Sequence, residues 1–133
     1  MFIDASAIIA ILTDEPSGPE LWRFLSRARS PITSPIAVYE ATLGIRRKRG
    51  IPTGSAEKEV SNFMEAMHIQ LIAIQPDMGL EALKAFARYG KGQGHPAQLN
   101  MGDCFAYAVA KTHNVPLLFT GNDFPHTDIT PAA

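Results

Sequence analysis

Four carboxylates in this 133-residue chain stand where an acid is locally awkward or strategically placed. Asp4 closes the apolar stretch Met1-Phe2-Ile3, and Glu40 lies between Ile36-Ala37-Val38-Tyr39 and Ala41-Thr42-Leu43. Asp103 opens the apolar run Cys104-Phe105-Ala106-Tyr107-Ala108-Val109-Ala110. Asp123 follows Val115-Pro116-Leu117-Leu118-Phe119 by a short turn. Brought to one place, these acids would repel one another and could not all stay ionised. A divalent cation resolves the conflict, and an all-oxygen donor set favours Mg²⁺ or Mn²⁺ over zinc. Such a site suits phosphodiester hydrolysis, because a bound ion lowers the pKa of its water, orients it and offsets charge on the attacking and leaving oxygens. The pattern is compatible with one ion or two. The four histidines, His68, His95, His113 and His126, have no zinc-ligand spacing, and none adjoins the single Cys104.

Each acid also has a structural use. Asp103 suits the first turn of a helix, and Gly121-Asn122-Asp123 is good turn material. Glu40 can reach solvent or pair with Arg47. Asp4 has the weakest structural reason to be there, since a carboxylate ending an apolar strand gains little.

The elements that must position these acids alternate between strand and helix. Phe2-Ile3 reads as a short strand, followed by a helix over 6–13 with Ser6 as its cap. Ser17-Gly18-Pro19-Glu20 fits a capping box. Leu21, Trp22, Leu25 and Ala28 then form an inward stripe that places Trp22 in the core. Ser30-Pro31-Ile32-Thr33 is a second strand. Ser34 and Pro35 start a helix that runs to Arg49 and stops at Gly50. Its last turn holds Arg46-Arg47-Lys48-Arg49, favourable for the helix dipole. Thr53 caps a helix carrying Ala56, Val60, Phe63, Met64 and Met67. Ile69–Ile74 is a third strand, and Pro76-Asp77 opens a helix with Leu80, Leu83, Phe86 and Ala87 turned inward. Residues 90–102 are glycine-rich and irregular, and lack the Gly-Lys-Ser/Thr ending of a phosphate-binding loop. Asn100 caps a helix over 102–114, Val115–Phe119 is a fourth strand, and Asp128-Ile129 leaves room for a short last one.

This alternation predicts an α/β fold with a mostly parallel sheet covered on both faces. The ends of the first and fourth strands then share one edge with the starts of the neighbouring helices, where open α/β sheets place their ligands. Length and the absence of a linker predict one domain over 1–133. No tract approaches the ~18 apolar residues of a membrane span. Asp4 and the lack of a preceding basic region argue against a signal peptide. A single cysteine excludes an internal disulfide and fits the reducing cytoplasm. A net charge of −1 is not that of an indiscriminate nucleic-acid binder, although the 46–49 run is locally basic.

Ile3-Asp4-Ala5-Ser6-Ala7, Glu40, Asn100-Met101-Gly102-Asp103-Cys104-Phe105-Ala106 and Thr120-Gly121-Asn122-Asp123-Phe124 resemble, in this order, the PIN-domain ribonucleases. More narrowly they resemble the VapC toxins of bacterial type II toxin–antitoxin systems. The resemblance covers almost the whole chain. It implies a three-layer α/β/α sandwich and a Mg²⁺- or Mn²⁺-dependent endoribonuclease whose acidic cluster falls on Asp4, Glu40, Asp103 and Asp123. Ser6 fills the small-hydroxyl position that supports the first acid. The resemblance also implies a homodimer and inhibition by a cognate VapB-type antitoxin. For RNA contact the expected residues are Arg46 and Arg49, beyond the Glu40 helix, and Lys91 and His95, in the loop leading to Asp103. Two other readings compete. A phosphotransferase using Asp4 as nucleophile would want a second Asp two residues on, where Ser6 stands. A catalytically inactive PIN-like module would bind RNA or a partner without metal.

Overall fold

The structure is a computed structural model describing residues 1–133. Four parallel strands form the sheet, in the order β3-β2-β1-β4. They are β1 (Phe2–Ile3), β2 (Ile32–Thr33), β3 (Gln70–Leu71) and β4 (Leu117–Leu118). The six helices are α1 (Ala5–Leu12), α2 (Gly18–Ser26), α3 (Pro35–Arg49), α4 (Thr53–Ala66), α5 (Pro76–Tyr89) and α6 (Met101–Thr112). β1 is central and pairs with both β2 and β4. Its two residues are fully buried because each faces a different core. Phe2 and Leu117 join the core under α5 and α6, whereas Ile3 and Leu118 join the core under α1 to α4. Strands covered on both faces read as continuous apolar runs rather than alternations, as β1 and β4 do. The result is the expected three-layer α/β/α sandwich.

The paired strands are shorter than the apolar runs that contain them. Ile72 and Ile74 pack on the α5–α6 core without extending β3 beyond Leu71. The last strand is reduced to one bridge, Leu117 with Pro131, made by Leu117 N–H donating to Thr130 and Ala132 N–H to Leu117. It lies just beyond the expected Asp128-Ile129.

Several caps behave as the sequence suggests. The Ser34 hydroxyl accepts from Ala37 N–H at 3.1 Å. Gly50 ends α3 in the left-handed region, at φ 63°. Others differ. Asp4, not Ser6, caps α1. Ser17 precedes α2 in a helical conformation and makes no side-chain cap bond, so there is no capping box there. Pro52 rather than Thr53 precedes α4. Trp22 is 44 % exposed and only edges the core through Phe63. Along α5 the inward residues are Met78, Ala82, Ala85 and Tyr89, while Leu80, Leu83 and Phe86 are exposed. The inward stripe packs on α6, with the Tyr89 and Tyr107 ring centroids 5.8 Å apart. α1 and α3 also pack closely: a β-carbon at Gly44 would overlap the Ile9 side chain.

Candidate active site

Asp4 follows directly on β1 and is held by its own helix start. Its N–H donates to Leu118 of β4 at 3.0 Å. Its Oδ2 accepts from Ser6 N–H at 3.0 Å and from the Ser6 hydroxyl at 2.6 Å. The Ser6 Oγ in turn accepts from Thr120 N–H at 3.1 Å. One hydroxyl therefore ties the Asp4 carboxylate to the turn that carries Asp123.

The other acids arrive on three separate elements. Glu40 lies in the second turn of α3, half-buried, with its carboxylate against Gly102 of α6. Asp103 is in the first turn of α6 and closes a capping box there. Its N–H donates to Asn100 Oδ1 at 2.9 Å, and its Oδ2 accepts from Asn100 N–H at 3.1 Å. Asp123 is exposed and precedes a 3-10 turn at Phe124–His126. The buried Phe124 ring anchors that turn on Phe119, with centroids 5.1 Å apart.

Electrostatics link these positions. Burial raises the Asp4 carboxyl above its ordinary range, opposed by the Ser6 hydrogen bonds and an Ala5 backbone bond. Burial, then the charges of Asp4 and Asp103, push Glu40 up to about 7. Asp103 is pushed up to about 6, chiefly by burial, and also by Asp4 and Asp123, against the Asn100 hydrogen bond. The acids thus feel one another across α1, α3, α6 and the turn after β4. The carboxylates are nonetheless spread wider than a ligand shell, and no three acid, histidine or cysteine side chains are gathered closely enough to hold a metal ion as they stand. The donor set itself, four carboxylates with no cation paired to any of them, is chemically suited to a hard divalent cation. Arg47 does not pair with Glu40.

The basic residues divide. Lys91 is exposed in the loop before α6. His95 in the same loop is half-buried, edge-on to Tyr89 at 4.9 Å, with Nδ1 accepting from Ala97 N–H. Arg49 is not brought to the acids. It hydrogen-bonds the Leu12 carbonyl and pairs with Glu59. Leu12 ends the eight-residue α1 that Asp4 begins, roughly 12 Å away along the axis. Arg46 is exposed six residues beyond Glu40 on α3, about 9 Å along it. Lys48 pairs with Glu15 at 2.8 Å.

Two contributors escape a reading by residue type. Thr120 acts through its backbone N–H, which leaves no signature in sequence. Gly102 does leave one: glycine in the first turn of a well-formed helix gives up propensity that alanine would supply.

The model of the PIN domain family matches residues 1–129. A VapC ribonuclease of Rhizobium meliloti is 42 % identical over 139 aligned positions, covering 96 % of this chain and 98 % of the relative. Ribonuclease VapC42 of Mycobacterium tuberculosis is 39 % identical, with 99 % and 98 % covered. Among solved structures, the fold is similar to that of Mycobacterium tuberculosis VapC20, described as a sarcin-ricin-loop-cleaving toxin. The TM-score is 0.75 and the identity 15 %, with 97 % and 95 % of the chains covered. It is also similar to a chain of a toxin–antitoxin complex from Klebsiella pneumoniae, with TM-score 0.65, 14 % identity and 92 % and 88 % covered. With a family model over nearly its whole length and full-length relatives near 40 % identity, this chain belongs to the PIN-domain family and, within it, to the VapC ribonucleases.

Proposed function

We propose that this VapC ribonuclease cleaves RNA at the sheet edge that carries Asp4, Glu40, Asp103 and Asp123, with Mg²⁺ or Mn²⁺ as cofactor, and that it does so as the toxin of a toxin–antitoxin pair. The observation that carries the site is the mutual electrostatic coupling of acids supplied by four separate elements. When bound, the ion supplies a nucleophilic water at neutral pH and offsets charge on the scissile phosphate. Asp4, Glu40 and Asp103 would hold it, with Asp123 at the solvent side. The chain prepares them in defined ways. Ser6 takes up one oxygen of Asp4 and fixes the rotamer, while Thr120 N–H orients the Ser6 hydroxyl. Asn100 does the same for Asp103 from the chain before α6. Lys91, with His95 behind it, is placed on the loop leading to Asp103 and supplies a phosphate contact, which positions RNA without reading its sequence. Arg46 lies further along α3, and Arg49 is committed to the far end of α1.

The partners follow the same reading. A VapB-type antitoxin is supported by the VapC relatives and by the likeness to a chain of a toxin–antitoxin complex. A homodimer is supported by α5, which exposes Leu80 and Leu83 at 62 % and 67 %. The helix carries Asp77 and Glu81 toward its start and Lys84 and Arg88 toward its end. Antiparallel self-pairing across a two-fold axis would set acids against bases. No helix is long and apolar enough to cross a membrane, and the lone buried Cys104 fits work in the cytoplasm. The deciding experiment is cleavage of an RNA pool with Mg²⁺, Mn²⁺ or chelator by the wild type and by Asp4→Asn. Divalent-dependent cleavage lost in the variant is expected. Undiminished cleavage by folded Asp4→Asn would remove the site assignment.

A further inference from the structure

We infer that Gly102 is a positioning residue for Glu40: its missing β-carbon leaves the slot in which the Glu40 carboxylate lies, against the first turn of α6 and beside Asp103. The inference rests on the proposed role of Glu40 in the site. A β-carbon built on Gly102 would overlap Glu40 at Oε1, Oε2 and Cδ together. The three atoms nearest to that β-carbon all belong to Glu40. Gly102 is not among the residues with positive φ, so its backbone conformation is open to any residue. Its position inside α6 favours alanine over glycine on helix propensity.

Which partner yields to a β-carbon decides the consequence. α6 cannot move, because Cys104, Ala106, Ala108, Val109 and Ala110 lock it into the core. Glu40 can move, because the overlapping atoms are the far end of a flexible side chain. Substitution at Gly102 therefore spares the fold and swings the Glu40 carboxylate off α6. The effect is that of losing a partner that orients a metal ligand, which costs about 10- to 100-fold in metal affinity or activity.

The test compares wild type, Gly102→Ala, Glu40→Gln, Glu40→Asp and the double variant Gly102→Ala/Glu40→Asp. The readouts are thermal melting, Mn²⁺ titration by calorimetry without RNA, and kcat and KM on a short oligoribonucleotide. Gly102→Ala is expected to melt at or above the wild type. It should bind Mn²⁺ about tenfold or more weakly, with the loss of activity falling mainly on kcat. The double variant, whose carboxylate is drawn back by one methylene, is expected to bind Mn²⁺ more tightly than Gly102→Ala. Wild-type Mn²⁺ affinity in Gly102→Ala, alongside a loss in Glu40→Gln, would overturn this inference and leave the role of Glu40 standing. Wild-type affinity in Glu40→Gln would overturn both. A lowered melting temperature in Gly102→Ala, unrelieved in the double variant, would make the glycine a packing residue and overturn the inference as well.

Discussion

At the scale of single residues, Asp4 does two jobs that mutation can separate. Its carboxylate caps α1 through Ser6 N–H, a role in which asparagine substitutes well and alanine does not. Its charge is buried and costly. Asp4→Asn is thus expected to abolish cleavage while melting at or above the wild type. Asp4→Ala should abolish cleavage and also lose about 1 kcal/mol with the cap. Chemical denaturation beside the RNA assay checks both; a destabilised Asp4→Asn would show that the charge itself holds the fold. Glu40 gives a pH-dependent counterpart in chelator-treated protein. It titrates at about 7 when folded, against an ordinary value of 4.5. In that window the folded chain holds a proton that the unfolded chain releases, so this group lowers stability as pH rises from 4.5 to about 7. Glu40→Gln removes the cost. The variant should be more stable than the wild type at pH 8, by on the order of 1 kcal/mol once partial exposure is discounted. The difference should vanish toward pH 4. Melting curves across pH check it, and a pH-independent difference would refute the coupling.

Among elements, α5 separates what periodicity reveals from what it hides. Its helical period was legible, but the face turned inward was not. Leu80, Leu83 and Phe86 form the larger apolar stripe, yet α5 buries Met78, Ala82, Ala85 and Tyr89, the last against Tyr107 of α6. The choice depends on the partner helix, and a stripe read alone does not contain it. Trp22 fails for the same reason, being large enough to edge a core without entering it. The strand–helix alternation and the acidic positions could be read because burial on both sheet faces and isolated charge each leave a local mark. The bond from Thr120 N–H to Ser6 left none. If the stripe on α5 is a dimer face, Leu83→Glu should convert a dimer into a monomer in size-exclusion chromatography with light scattering. Its melting temperature should change little in dilute protein, because Leu83 is already 67 % exposed. An unchanged dimer would place the interface elsewhere.

For the molecule as a whole, charge limits how RNA can be held. Twelve Lys and Arg stand against 13 Asp and Glu, so the chain as a whole offers RNA no excess of positive charge. Two of the cations in the 46–49 run are already spent: Lys48 on Glu15, and Arg49 on Glu59 and the Leu12 carbonyl. Binding should therefore depend weakly on salt, with a log–log slope of about −0.7 for each phosphate neutralised on a single strand. In a cleavage-inactive Asp4→Asn background, Lys91→Ala should weaken RNA binding and flatten that slope by about 0.7. Arg49→Ala should leave affinity and slope unchanged and lower the melting temperature instead, because it unties the end of α3 from α1 and α4. Fluorescence anisotropy of a labelled oligoribonucleotide across a salt series separates the two. A slope altered by Arg49→Ala and untouched by Lys91→Ala would move the RNA to the opposite end of α1, away from the acids.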